Sequence, residues 1–295
     1  MDQLLLWQDA SKPVAENRIV QHDTQGGGMV ATGLVAVARL GGRPEFWGAA
    51  GGDWMGDWIV SGLAREGVDV SQVRRIPDHR GPMVVVCVDK PTGQRHFLFF
   101  HGIPPCGEPI GSLDRLAGAG CLLVDHTRPE SELRAAQEAR RLGVPVVGDV
   151  GAVNDANRPT LAVMDYAIAS EMCARSLGAE PDSPEACRRL LALGPRCAVV
   201  TLGDRGLVWM EGDRFGRLDA FRVDVVDTTG AGDTFHGAFC FGLACGLNLE
   251  KNLLFASATA SMKCRRLGGR AGIPTLSEVL AFLAERGHDL AADFG

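Results

Sequence analysis

Between residues 121 and 210 the chain alternates short apolar runs with longer amphipathic stretches. The runs "CLLVDH", "VPVVGDV", "DYAIAS" and "RCAVVTLG" are too short for helices and nearly continuous in apolar character. Each predicts a strand buried on both faces. Between them, "ESELRAAQEARRLG", "EMCARSLG" and "PEACRRLLALG" place apolar residues at helical spacing. Strands and helices alternating at this interval predict a mainly parallel sheet with helices on both faces.

Earlier, "MVATGLVAVARL" (29–40) is apolar on most faces and predicts a buried helix. "RPEFWGAA" predicts a strand, and "WMGDWIVSGLAREG" a helix closed by Gly67. "PMVVVCVD" and "QRHFLFFH" flank "KPTG", whose Pro91 and Gly93 predict a hairpin turn. This hairpin, 81–101, interrupts the alternation and reads as a separate flap. After residue 210 come a short hairpin around Glu211–Gly212–Asp213 and a strand, "FRVDVV". Helices over about 231–246, 250–265 and 276–286 complete the chain.

Composition narrows the picture. A length of 295 residues with 46% hydrophobic content suits a single domain, 1–295, and 38 glycines suit an α/β protein with many tight loops. A net charge of −6 without any basic block argues against nucleic acid as a partner. "MDQLLLWQDASKP" lacks the basic start and apolar run of a signal peptide, and no segment reaches the roughly 18 apolar residues of a membrane helix. Nine cysteines are scattered without a C-x-x-C pair, which reads as buried thiols in a reducing cytoplasm.

The stretch richest in chemistry is "VDTTGAGDTFHGAFCFG", 226–242. A glycine turn between a strand and a helix leaves helix N-terminal amides pointing outward, where the helix dipole adds positive charge. Such a turn is an anion site. Asp233, in the first helical turn, has two readings. It caps the helix, worth about 0.3–1 kcal/mol. Or it takes a proton from a substrate hydroxyl while the amides of Gly230, Ala231 and Gly232 hold charge on a phosphoryl group. No lysine follows the glycines, so the turn is not a Walker A loop, and its place in the chain is wrong for a dinucleotide fingerprint.

Other residues carry weaker signals. Asp149 ends a strand at the edge where ligands bind, and reads equally as a ligand contact or a cap. His236 reads as packed against the sheet, His96 and His101 as exposed, and Trp47, Trp54 and Trp58 as core or rim packing. "KCRR", 263–266, reads either as a phosphate contact or as a charged helix end complementing the dipole.

"DTTGAGD" before a small-residue helix resembles the C-terminal signature of the ribokinase-like sugar kinases, the phosphofructokinase-B family. "GGGMVATGLVAVARLGG" and "FWGAAGGDWMGDWIVSGLAREGVDV" resemble its N-terminal signature, with the element G-x-x-G-x-D-x-x-G, and "VVTLGDRG" its nucleotide-loop strand. The resemblance covers nearly the whole chain in order. It implies a three-layer α/β/α fold with a mainly parallel central sheet, plus a small β-sheet lid from about 4–24 and 81–101 that often makes a homodimer interface. It implies Mg2+-ATP-dependent phosphorylation of a small sugar. Asp233 then matches the catalytic base, and Gly230, Ala231 and Gly232 the anion hole. Asp2, Gly27, Gly28 and Thr32 match sugar-binding positions, and Thr201, Gly203, Gly206 and Ser170 nucleotide-side positions. Asp227 and Thr229, with backbone near Gly268, match positions that in many members hold a monovalent cation such as K+.

"VDVVDTTGAGDTFHGA" and "KCRRLGGRAGIP" are similar to a bacterial branch that includes sulfofructose kinase. A sulfonate needs cationic donors. Arg128 is a candidate, but Glu16 stands near the place of that kinase's lid lysine, so a neutral ketose or related sugar is expected. Four departures from the family pattern stand out. Asp2 would end a first strand that this chain lacks, for which a wrongly assigned start or a trimmed chain is the expected explanation. Thr32 replaces an asparagine. "SEMC" at 170–173 replaces N-x-x-E, leaving Glu171 to support Mg2+ indirectly. Met29 stands where members acting on phosphorylated sugars often carry lysine, which disfavours a sugar phosphate. A nucleoside kinase and a non-catalytic sugar or nucleotide sensor of the same fold remain as alternatives.

Overall fold

A computed structural model describes residues 1–9, 11–12, 16, 18–90, 95–103, 111–125 and 129–295. Arg128, Pro91, Gly93 and Cys106 lie outside the described residues. The chain begins with β1 (Asp2–Trp7) and β2 (Ile19–Gln25), then α1 (Met29–Arg39), β3 (Ala49–Gly51), α2 (Trp54–Arg65) and β4 (Arg74–Ile76). Next come β5 (Met83–Asp89), β6 (Arg95–Phe100), β7 (Leu122–Val124), α3 (Pro129–Arg141), β8 (Val146–Val150) and α4 (Arg158–Leu161). They are followed by β9 (Tyr166–Ser170), α5 (Glu171–Ser176), α6 (Pro184–Leu191), β10 (Cys197–Thr201), β11 (Leu207–Glu211) and β12 (Arg214–Leu218). Three helices finish the chain: α7 (Ala231–Ala244), α8 (Leu249–Lys263) and α9 (Leu276–Ala284).

Six strands form the central sheet in the order β12-β11-β10-β9-β8-β7. Strands β7 to β10 are parallel, and β11 and β12 are added antiparallel. Period-two alternation explains the layers. Tyr166, Ile168, Cys197 and Val199 point into a core with Phe235 and Phe239 of α7 and Phe255 of α8. Their neighbours Ala167, Ala169, Ala198 and Val200 point into a second core with Ala136 and Ala139 of α3 and Leu190 of α6. Both faces are covered, giving three layers, α/β/α. Burial of each large side chain, such as fully buried Phe239, is worth about 1.5–3 kcal/mol.

A second sheet has the order β2-β1-β5-β6. β1 pairs parallel with β5, while β2 and β6 flank them antiparallel. Its outer strands expose Ile19, Val20, Leu98 and Phe99. Asp2 therefore opens a strand of this smaller sheet. β3 and β4 make a short parallel pair leading into α2, where Asp53 caps the helix by accepting from Gly56 N at 3.0 Å.

Two strand expectations need correction. "RPEFWGAA" forms regular strand only at its end, from Ala49, with one isolated bridge at Glu45. "FRVDVV" forms none. Phe221 and Val223 pack against the first core, but Val225 and Val226 are exposed, and Val226 N donates to Cys264 O at 2.8 Å. A backbone satisfied by a helix end has no need of a ladder partner. Trp54 is exposed on α2, contrary to the packing expected of it, while its neighbours Met55 and Gly56 in the same turn are buried.

Candidate active site

The turn before α7 is set by glycine. Gly230 has φ 73°, and a Cβ on it would stand 2.7 Å from the Gly269 carbonyl oxygen. Only glycine tolerates both the conformation and the approach. Helix α7 starts without a side-chain cap. Ala231 N donates to Thr228 O at 3.2 Å, so one of the three amides expected in the anion hole is spent closing the turn. That leaves the amides of Gly230 and Gly232 as the candidates for such a hole. The space above Gly232 is open, since a Cβ there would meet no described atom within 4 Å.

Asp233 is the third residue of α7 and opens onto a cleft of about 1300 Å³. Burial pushes its carboxyl up to about 7, and the nearby charge of Asp149 adds to the rise. His236 pulls the other way, while Asp125 and Asp2 push it further up. A carboxylate poised near neutrality is matched to proton transfer. His236 is buried, as the sequence suggested. Its Nδ1 donates to Gly232 O at 2.7 Å, and its Nε2 lies 3.4 Å from Ile168 O and 3.6 Å from Asp149 Oδ1. It links the first turns of α7 to β9 and, at the longer distance, to β8.

The cleft has two characters. Asp2, Gly27, Gly28, Asp125, Gly230 and Asp233 form a polar end. Phe46, Trp47, Phe97 and Phe99 form an apolar wall, with Phe97 and Phe99 stacked at 6.0 Å between ring centroids. Burial raises the carboxyl pKa of Asp2, against the opposing pull of the N-terminal ammonium and Arg270. A Cβ on Gly27 would overlap the Asp2 carboxylate, so these two positions are in direct contact.

Thr32 differs from its expected place. It is 1% exposed and lies beneath the loop, where its hydroxyl accepts from Arg270 Nε at 3.4 Å. Arg270 is itself only 7% exposed and donates from Nη2 to Gly27 O at 2.7 Å. Burial lowers its guanidinium to about 10, against the opposing pull of Asp2. Sequence reasoning passed over Arg270, although it is the lone cation inside "LGGRAGIP". Asp125 was also passed over; it is an acid just beyond the end of β7, as Asp149 is an acid in the last two residues of β8.

The positions expected on the nucleotide side gather at the C-terminal ends of β9 and β10 and are not part of the cleft wall. Thr201 donates from its hydroxyl to Ala169 O at 3.2 Å. Gly203 (φ 62°) and Gly206 (φ 84°) bound a 3-10 turn. Ser170 caps α5 by accepting from Cys173 N at 3.3 Å. Glu171 pairs with Arg205 at 2.9 Å and Arg175 at 3.6 Å, and Cys173 is fully buried. Among the described residues no group of acids, histidines or cysteines is arranged to hold a metal ion.

Asp227, Thr229 and Gly268 are brought together, but by bonding one another. Asp227 Oδ1 accepts from Thr229 N at 2.8 Å and Thr229 Oγ1 at 2.7 Å, and Oδ2 accepts from Gly268 N at 2.7 Å. Burial works to raise the Asp227 carboxyl, but these bonds and Lys263 outweigh it and hold the group low. Lys263 departs from both readings of "KCRR", whereas Arg265 and Arg266 are exposed just beyond the end of α8, where the charged-helix-end reading put them. Lys263 is neither a surface charge nor a phosphate contact: it is 0% exposed, and its Nζ donates to Asp227 O at 2.9 Å. Its signal was spacing, since Phe255, Thr259 and Lys263 share one buried stripe of α8 at i, i+4, i+8.

Comparison with known proteins gives a consistent answer. The family model described as pfkB family carbohydrate kinase matches residues 6–276. The ribokinase of Schizosaccharomyces pombe is 30% identical over 279 residues, covering 87% of this chain and 86% of that protein. The ribokinase of Bacillus subtilis is 28% identical, with 88% and 87% covered. Among solved structures, a putative ribokinase from Agrobacterium tumefaciens superposes with TM-score 0.89 at 29% identity, covering 98% and 96% of the two chains. Arabidopsis thaliana ribokinase, complexed with ribose and ATP, superposes with TM-score 0.84 at 25% identity, covering 96% and 95%. With its uncapped glycine turn, its acid at the cleft and a family match over most of its length, this chain belongs to the pfkB family of carbohydrate kinases.

Proposed function

We propose that this enzyme transfers the γ-phosphoryl group of ATP to a hydroxyl of a small neutral sugar of ketose or pentose type. The observation that carries the reading is Asp233, raised to about 7 beside an uncapped helix N-terminus at the polar end of the cleft. Asp233 takes the hydroxyl proton as the phosphoryl group transfers in line. The amides of Gly230 and Gly232 stabilise the charge that develops on it. The sugar lies against Asp2, Gly27 and Gly28. Arg270 holds that loop from behind through Gly27 O.

ATP occupies the β9–β10 end, over Thr201, Gly203, Gly206 and Ser170. The chemistry of the donors there fits a nucleotide better than a bare metal: the turn is open backbone and hydroxyl, and Glu171 is taken by two arginines. Magnesium arrives with the nucleotide, held by phosphate and water, in keeping with its reluctance to dehydrate. The cleft is larger than the roughly 300–1,000 Å³ of a typical small-ligand site. Movement of the four-stranded sheet as a lid over the sugar excludes water during transfer. The exposed apolar face of that sheet pairs two copies into a homodimer.

Phe97, Phe99 and Trp47 favour a second reading, in which a nucleobase stacks on the apolar wall and the acceptor is a nucleoside. ADP release with Mg-ATP against fructose, ribose, 2-keto-3-deoxygluconate, sulfofructose, adenosine and fructose 6-phosphate separates the two. Turnover with one neutral sugar, lost in Asp233→Asn, supports the proposal. Turnover with adenosine alone moves the assignment to the nucleoside. Binding without turnover for every compound refutes both in favour of a sensor.

A further inference from the structure

We propose that the Lys263 ammonium is the resident cation of the loop before α7, so that this chain works without a bound monovalent metal ion. The family resemblance places such an ion at Asp227, Thr229 and Gly268, but the donors in this chain do not fit one. An alkali cation needs oxygen atoms turned toward it. Here the Asp227 carboxylate accepts three protein donors, from Thr229 N, Thr229 Oγ1 and Gly268 N. The Asp227 carbonyl accepts the Lys263 ammonium at 2.9 Å.

A fully buried ammonium is costly unless it is hydrogen-bonded and paired with an opposite charge. Asp227, only 6% exposed, is the acid that Lys263 helps keep ionised. A second cation in this enclosed loop would meet Lys263 at short range and be repelled. The loop is also closed tightly by backbone. A Cβ on Gly272 would overlap the Lys263 carbonyl, and Gly230 packs on Gly269. Lys263 is thus a positioning residue. It fixes the Asp227 main chain three residues before Gly230, and through that turn the amides of Gly230 and Gly232. An internal ammonium does the electrostatic work and cannot dissociate.

The inference rests on the kinase reading for its activity measurements alone. The test uses the full chain, wild type and Lys263→Met, with tetramethylammonium chloride replaced stepwise by KCl at constant ionic strength. Melting temperature and ADP release are both followed. The wild type is expected to show no dependence of either on K+. Lys263→Met is expected to melt lower and to lose about 10²-fold in kcat with a smaller change in KM, the cost of a misplaced turn. KCl is expected to restore part of both losses, and tetramethylammonium neither. A rise in wild-type melting temperature or rate with K+ overturns the inference, as does a Lys263→Met chain indistinguishable from wild type. If Lys263→Met does not fold, the wild-type titration alone decides. Failure of the kinase reading is a separate result: no turnover in the wild type, with the melting measurements still interpretable.

Discussion

Replacing Asp233 by asparagine should impair the enzyme and stabilise the fold at the same time. The folded carboxyl sits at about 7, against 3.8 for an ordinary aspartate. Each tenfold change in proton affinity is worth about 1.36 kcal/mol, so the whole interval corresponds to about 4 kcal/mol. The sign follows from which state holds the proton more tightly. The folded state does, so the penalty is absent below the unfolded value, grows as pH rises between 3.8 and about 7, and is complete above. Asparagine abolishes the charge but keeps a polar group facing the cleft, and solvent there screens part of the effect. A gain of roughly 2 kcal/mol at pH 8 is reasonable, which raises the melting temperature by several degrees. At pH 5 the gain should shrink to roughly a third. Activity should fall about 10²–10⁴-fold, the usual worth of a positioned base. Differential scanning fluorimetry at both pH values, paired with ADP release, reads all three quantities. A variant that melts no higher than wild type at pH 8, or that keeps its turnover, would refute the reasoning.

Three further predictions follow from neighbouring contacts. Asp149→Asn removes a charge that raises Asp233, so the acid limb of the kcat/KM profile, expected near pH 7 in the wild type, should move to lower pH. Gly237→Ala should lower the urea midpoint by about 1–3 kcal/mol worth of stability, because its Cβ would overlap the Gly33 carbonyl where α7 crosses α1. Asp53→Ala should cost about 0.5–2 kcal/mol in the same measurement. Its Oδ1 accepts from both Gly56 N and Gly81 N, at 3.0 and 2.9 Å.

Legibility in the sequence tracked how local the determining forces are. Strands β8, β9 and β10 were readable because burial on both faces leaves an almost unbroken apolar run. The turn at Gly230 was readable because its conformation admits little but glycine. "FRVDVV" misled because alternation fixes which side chains face inward, not what the backbone bonds, and α8 supplied the acceptor. Thr32, Arg270 and Lys263 were misplaced or missed for a related reason. Each takes its role from a partner far along the chain: Arg270 for Thr32, Gly27 for Arg270, Asp227 for Lys263. No window of neighbouring residues contains those pairs.

The contact between α1 and α7 has a consequence for how substrate range can change. At Gly33 and Gly237 the two helices meet backbone to backbone, with no side chain between them. One of these helices begins at the glycines beside Asp2, the other at the turn carrying Asp233. The distance between acceptor loop and transfer centre is therefore set by a fixed gauge, which no side-chain substitution along the helices can retune gradually. Variation that alters which molecule fits has its freedom on the opposite wall, among Phe97, Phe99 and their neighbours. New substrates would be gained by remodelling the cover while the machinery beneath keeps its dimensions.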